Sequence, residues 1–388
     1  MKSKVKVAIN GYGVIGKRAA DAVSLQDDME LVGICDVIQD YRIRVAVERN
    51  YPIYAATDAH MDQMKAAWIP VEGVLADLLN QIDIIVDCTP KHIAALNREA
   101  YRQAEVKSIF QGGEKHELTG FSFVAQINYA QALDRDTARV VSCNTTALCR
   151  VLGALHQHDW IERARVVILR RGTDPWESHN TGMINTVIPE VRVPSHQGPD
   201  AKCVIPDLDI TTMAAAGPFN LSHIHFAMVE TKAPLTLDEL RDALWDAPRI
   251  ALVSAGNGVV ALNSVIELMR DLGRPRNDMW EVAVWQEAMA VDEREIYLTY
   301  QVHNEAIVIP EIIDCIRAMT GLTPVAMESI CKTDESLGIV REFLPATAQP
   351  VPHKFGPDVP HTTVEALEKA RAEYESFSFK GAEEPSDA

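Results

Sequence analysis

The stretch Lys4 to Asn10, followed at once by Gly11-Tyr12-Gly13-Val14-Ile15-Gly16, constrains the fold more than any other part of this chain. Val5, Val7 and Ile9 alternate as in a strand, and Lys17 to Val23 continue with helical spacing. A second strand, Leu31 to Cys35, ends at Asp36, twenty residues after Gly16. Strand, glycine turn, helix, strand and acid, in this order, form the context in which GxGxxG binds a dinucleotide. Gly11 permits the tight turn, Gly13 lets a pyrophosphate approach the backbone, and Gly16 lets helix pack on strand. The helix start offers unpaired N–H groups and a positive dipole end to the phosphates. A carboxylate at Asp36 accepts hydrogen bonds from the adenosine ribose and repels a 2′-phosphate, which favours NAD. Arg42 and Arg44 lie close enough in sequence to keep NADP open.

Further apolar runs end in polar or glycine turns. Ile82 to Val86 leads to Asp87-Cys88-Thr89-Pro90, Ser108 to Phe110 leads to Gln111-Gly112-Gly113, and Arg139 to Val141 leads to Ser142-Cys143. Alternation of such runs with helical stretches predicts a doubly wound (Rossmann) parallel sheet, whose ligands bind at the carboxyl ends of the strands. From about residue 150 the pattern changes. Arg165 to Arg171, His223 to Glu230 and Ile296 to Val302 alternate over longer spans, with helical stretches around 236–247, 259–271 and 310–319. The expected fold class is therefore α/β: a parallel-sheet nucleotide-binding domain plus an α+β catalytic domain with a mixed sheet. A Pro-rich C-terminal tail follows. Pro345, Pro350, Pro352, Pro357 and Pro360 suggest an extended linker, and Thr362 with Glu365 a capping box. That box would open a charged helix to about Phe377, ending in a solvated tail; docking on another subunit or over the cofactor site is the alternative.

Composition narrows the function classes. The 388 residues are enough for two or three domains with real cores. No run approaches ~18 consecutive apolar residues, so no membrane span is expected. The start, MKSKVKVAIN, enters a strand pattern without a signal-peptide core, and a cytoplasmic location is expected. Lys and Arg number 37 against 55 Asp and Glu, a net charge of -18, which argues against nucleic-acid binding. Local basic pockets for a small anion remain compatible with that charge. Seven scattered cysteines show neither disulfide nor zinc spacing, so free thiols and no metal are expected.

The candidate chemistry centres on Ser142-Cys143-Asn144-Thr145-Thr146, where a strand ends and a helix over Ala147 to His156 begins. A thiol at a helix N-terminus has its thiolate stabilised by the dipole and free N–H groups. The same N–H groups, with Asn144, can hold an oxyanion developing on a substrate carbonyl. Cys143 is the candidate nucleophile, whereas Cys149, further along the helix, is expected to be packing. His223 and His225, two apart on one strand face, are the candidate bases, with His223 preferred. Arg170-Arg171 at a strand end is a candidate anion contact or an exposed salt-bridging pair. Ser195-His196-Gln197-Gly198 forms a polar loop whose glycine allows close ligand approach.

Together these residues resemble the archaeal-type (type II) phosphorylating glyceraldehyde-3-phosphate dehydrogenases. The resemblance is carried by INGYGVIGKR, FQGGEKHE, VVSCNTTALCR, RRGTDP, VPSHQGPD, HIH at 223–225, RDLGRPR and VHNEAIVIPEIIDCIRAM, and spans about residues 3 to 340. It implies a two-domain subunit usually assembled as a homotetramer. Residues 1–142 and 304–341 would form the NAD(P)-binding domain, 143–303 the catalytic domain and 342–388 the tail. It implies Cys143 as nucleophile and His223 as general base. Val14, Ile15, Gly113, Arg171 and Asn304 would contact the cofactor. Ser142, Asn144, His196, Gln197 and Gly198 would surround glyceraldehyde 3-phosphate and inorganic phosphate. The chain departs from the family pattern in three places. Pro218 to Ser222 replace a Thr-Thr pair before the first histidine, Gln197 stands where a second His is common, and Asp36 stands where many members carry Lys. The first two departures keep another phosphorylated or acidic aldehyde in play. The tail and the altered loop motivate a nucleotide-binding regulatory protein as the third reading.

Overall fold

The computed structural model describes residues 4–111 and 113–344. The tail helix expected over 362–377 lies outside these residues. The first sheet contains β1 (Val5–Asn10), β2 (Met29–Asp36), β3 (Ile53–Ala55), β4 (Gly73–Val74), β5 (Ile84–Asp87), β6 (Lys107–Phe110), β7 (Ser122–Phe123) and β8 (Thr137–Val140). All strands run parallel in the order β4-β3-β2-β1-β5-β6-β8-β7. Helices cover both faces, so central strands such as Val7-Ala8-Ile9 are buried on both sides and are continuously apolar. The order reverses at β1, between β2 and β5. There the carboxyl ends splay apart, as a doubly wound sheet requires for a ligand crevice.

The helix Cys143–His156 leaves β8 and leads into the second sheet. Every residue from Asn144 to Leu155 is buried, the mark of a helix packed on all sides rather than lying on a surface. The second sheet contains β9 (Ile161–Arg171), β10 (Ile188–Pro189), β11 (Ile210–Gly217), β12 (His223–Thr231), β13 (Ile250–Val253), β14 (Val282–Trp285), β15 (Ala290–Asp292) and β16 (Glu295–Val302). Its order is β10-β11-β9-β12-β16-β14-β13, with β15 on β16 and both parallel and antiparallel pairs. On β9 and β12, Val166, Ile168, Ala227 and Val229 face the core, while Arg165, Val167 and Phe226 face outward.

The helix Ile309–Met319 is fully buried and packs against the first helix, Val14–Ser24. Buried ion pairs tie it to its surroundings: Arg150–Glu311 at 2.6 Å, Arg249–Asp314 at 2.6 Å and Arg317–Asp28 at 2.9 Å. The long elements expected from periodicity are all present, with ends displaced by a few residues. β9, for example, begins at Ile161 rather than Arg165, and β8 ends one residue before Val141. The short strands β3, β4, β7, β10, β13, β14 and β15 were not expected, because runs of two to four residues show no period.

Candidate active site

The glycine turn sits over the crevice as its sequence predicts. Gly11 has φ +93°, and a Cβ there would lie 2.9 Å from the backbone of Cys88 and Thr89. A Cβ on Gly16 would lie 1.8 Å from the Gly11 carbonyl oxygen, so the first helix could not approach its strand. A Cβ on Gly13 would meet nothing within 4 Å, which leaves the turn open towards the crevice. The crevice has a volume of about 990 Å³ and is lined by Gly11, Gly13, Val14, Ile15, Asp36 and Thr89. Apolar walls, a bare glycine backbone and a helix start suit a dinucleotide.

Asp36 lines the crevice and also binds the backbone around it. Oδ2 accepts the Tyr12 N–H at 2.5 Å, and Oδ1 accepts those of Val37 at 2.6 Å and Ile38 at 3.2 Å. The carboxylate thus braces the glycine turn against β2. Arg42 is bound to Asp40 and lies 5.3 Å over the Trp176 ring, across the crevice mouth. Lys17, Trp176, His303 and Glu305 also line the crevice and were not singled out from sequence. A basic residue directly after the third glycine was the one available signal for Lys17. Burial holds its ammonium below the usual lysine range, and Arg276 and Arg18 add to that.

At the start of the helix Cys143–His156, Ser142 is the N-cap and its Oγ accepts the Thr145 N–H at 3.4 Å. Thr145 donates to Asp200 at 2.7 Å, and Asp200 is in turn paired with Arg139. This places Cys143 at the helix entrance, with Sγ 3.4 Å from His223 Nε2. His223 Nδ1 accepts the Arg171 backbone N–H at 3.0 Å. A ring nitrogen that accepts cannot also carry a proton, so the neutral ring holds its proton on Nε2, facing sulfur. Burial and the neighbouring Arg171 keep this imidazole well below the ordinary histidine range. Burial also raises the Cys143 thiol; Arg171 and the Asn144 and Cys143 N–H groups pull it down without prevailing. The helix N-terminus therefore moderates the burial penalty instead of producing a low thiol pKa, contrary to the sequence expectation.

His225 is not a second base for Cys143. It is buried, with Nε2 2.9 Å from Asn144 Oδ1. Arg170 reaches Glu190 at 3.4 Å, and exposed His196 reaches the same carboxylate at 3.5 Å. Arg171 pairs with Asp174. The Gly198 N–H is taken by Thr212, and Gln197 is wholly buried with neither amide atom bonded among the described residues. Gly113, Arg171 and Asn304 are not among the residues lining the crevice. Asn304 accepts from the Ser222 N–H at 3.1 Å and donates to Asp174 at 3.4 Å. No group of His, Cys, Asp and Glu suited to a metal occurs among the described residues.

A family model described as glyceraldehyde 3-phosphate dehydrogenase, C-terminal domain, matches residues 142–287. A glyceraldehyde-3-phosphate dehydrogenase of Thermococcus kodakarensis is 45% identical over 338 residues, covering 87% of this chain and 100% of the relative. Those of Methanococcoides burtonii and Methanosarcina barkeri are 44% and 43% identical over 87% of the chain. The chain belongs to the archaeal-type glyceraldehyde-3-phosphate dehydrogenase family. It is an oxidoreductase of the kind that works with a nicotinamide cofactor. Aspartate semialdehyde dehydrogenase II from Vibrio cholerae shares the fold, with a TM-score of 0.59 at 13% identity over 82% of this chain and 99% of its own. Within the glyceraldehyde-3-phosphate dehydrogenase family match lie Cys143, both β12 histidines and the Arg170–Arg171 turn.

Proposed function

We propose that the enzyme oxidises glyceraldehyde 3-phosphate to 1,3-bisphosphoglycerate, reversibly, with inorganic phosphate and NAD in preference to NADP. Cys143 Sγ beside His223 Nε2, at 3.4 Å, is the observation that carries this reading. Loss of the thiol proton to solvent frees a sulfur lone pair that attacks the aldehyde carbon, and the carbonyl electrons move onto oxygen. The Nε2–H of His223 and the N–H groups at the helix start are placed to hold that oxygen. A nicotinamide cofactor held in the crevice beside the glycine turn and Asp36 would supply the acceptor for the hydride leaving this carbon. The carbonyl re-forms as a thioester on Cys143. A phosphate oxygen then attacks, the C–S bond breaks, and the acyl phosphate leaves with thiolate regenerated. For His223 to act as general base at Nε2, the ring proton has to reside on Nδ1, which requires release from the Arg171 N–H.

Asp36 in the crevice, with Arg42 already neutralised by Asp40, supports NAD over NADP. Arg170, Arg171 and His196 would receive the phosphates in exchange for Glu190 and Asp174, with Ser142, Asn144 and Gly198 nearby. The packing of Ile309–Met319 on the first helix supports a cofactor domain of residues 1–142 and 304–341, and a catalytic domain of 143–303. The seven unpaired cysteines suit the reducing cytoplasm. On the second sheet, Val167, Met213, Phe226 and Tyr297 expose an apolar outer face that supports assembly into homotetramers.

The test is NADH formation from glyceraldehyde 3-phosphate with and without inorganic phosphate, with Cys143→Ser as the control. Phosphate-dependent turnover, absent in the variant, is expected. A second reading is favoured by buried Gln197, whose amide is not offered to a phosphate: the same chemistry on another phosphorylated or acidic aldehyde. Faster turnover of such an aldehyde would replace the first reading.

A further inference from the structure

His225 is costly for the fold. Its side chain is wholly buried, it packs 4.9 Å from the Tyr300 ring, and Nδ1 has no hydrogen-bond partner among the described residues. An apolar side chain of similar volume would fill this space without leaving a buried polar atom unmatched. Its one hydrogen bond runs from Nε2 to Asn144 Oδ1, at 2.9 Å. Two proton arrangements fit this contact. If the amide donated to Nε2, the ring proton would be stranded on Nδ1, and orphaned buried N–H groups are rare. With the proton on Nε2, only a lone pair is left unmatched. Burial lowers the His225 pKa to about 3, so the ring stays neutral and the donor persists at any working pH.

This bond fixes the Asn144 amide. With Oδ1 held by His225, Nδ2, the other end of the amide, is directed away from the ring. Asn144 follows Cys143 directly, and its backbone N–H lies near enough to sulfur to lower the thiol pKa. We propose that His225 is a positioning residue: it locks the Asn144 amide so that Nδ2 donates to the oxyanion formed when the Cys143 thiolate attacks a carbonyl. The alternation of β12 makes the pairing. His223 and His225 face the same side, and one reaches the thiol while the other reaches the residue beside it. The inference rests on Cys143 as nucleophile and is independent of which aldehyde is the substrate.

The experiment compares two reactions of Cys143 in the full-length protein. Acylation by p-nitrophenyl acetate passes through an oxyanion; sulfur attacks the ester carbon, the C–O bond breaks and p-nitrophenolate leaves. Alkylation by iodoacetamide displaces iodide at a saturated carbon and forms no oxyanion. His225→Leu and Asn144→Ala should each slow acylation by a similar factor, about a hundredfold if Nδ2 is a full oxyanion donor. Alkylation should stay within about twofold, and the double variant should be no slower than Asn144→Ala alone. His225→Gln, whose amide nitrogen can occupy the Nε2 position, should recover most of the acylation rate; His225→Asn should not. Acylation within twofold of the parent in His225→Leu, multiplying losses in the double variant, or equal loss of alkylation would overturn the assignment. Should His225→Leu fail to fold, the Gln and Asn variants decide, since only the positioning role separates them. If Cys143→Ser abolishes neither reaction, the nucleophile assignment fails instead, a result distinguishable from all of these.

Discussion

The two histidines of β12 act differently because of what meets their ring nitrogens, which spacing does not reveal. His223 is fixed by the N–H of Arg171 on the neighbouring strand, and His225 meets a side chain from another element. The pair on one face was legible from the alternation of β12; the partners were not, since they depend on the register between β9 and β12 and on where the thiol helix lies. The same holds for Cys143. Its position at a helix entrance was readable, while the burial that raises its pKa was not. Because the shift is upward, the cofactor-free thiol is mostly protonated near neutrality, and its thiolate fraction grows with pH beyond the ordinary thiol range. Alkylation by iodoacetamide should therefore keep rising above about pH 9, without a plateau between pH 6 and 8. A plateau there would show a thiolate–imidazolium pair that the Arg171 contact disfavours. Asp36 gives a second prediction at this scale. Asp36→Ala removes a repulsion towards a 2′-phosphate together with three backbone hydrogen bonds. The KM for NAD should rise about tenfold and the NAD/NADP ratio should narrow by a comparable factor, each corresponding to about 1.4 kcal/mol. An unchanged ratio would remove Asp36 from cofactor choice.

Among the elements, those with a sustained period or an apolar run ending in a turn were readable, and the short strands decided by tertiary pairing were not. The helix Cys143–His156 was expected from its sequence, but its complete burial is a property of the two sheets that enclose it. Arg150 on this helix is wholly buried and gives Glu311 on Ile309–Met319 a two-pronged contact, at 2.6 and 3.1 Å. It also donates to the Trp280 and Ile307 carbonyls. Arg150→Met would leave Glu311 with Arg249 as its remaining cation, and both carbonyls would lose a donor. Breaking such a buried pair costs ~3–5 kcal/mol, so the denaturation midpoint should fall markedly. A midpoint equal to that of the parent would show that this pair contributes little net stability. In an arginine within a helical run, nothing in the sequence separates this role from an exposed salt bridge.

For the whole molecule, the division into a parallel sheet followed by a mixed sheet could be read from strand texture, because buried parallel strands are continuously apolar and the later ones alternate. On β9, β11, β12 and β16 the outward positions include Val167, Met213, Phe226 and Tyr297, where a solvated sheet would carry polar residues. Phe226→Asp should shift the particle towards smaller assemblies in sedimentation equilibrium, while the far-ultraviolet spectrum and the Cys143 alkylation rate stay near those of the parent. Unchanged mass would place the subunit contacts elsewhere.

The three backbone hydrogen bonds of Asp36 have a consequence for anyone altering the cofactor preference of this enzyme at that position. A residue that only discriminates can be exchanged for a base at little cost. One that also ties Tyr12, Val37 and Ile38 into the turn cannot, because a lysine or arginine accepts nothing from three backbone donors. A switch of specificity would have to be built around a retained acceptor, by moving positive charge in from the neighbouring crevice wall, with the carboxylate left in place.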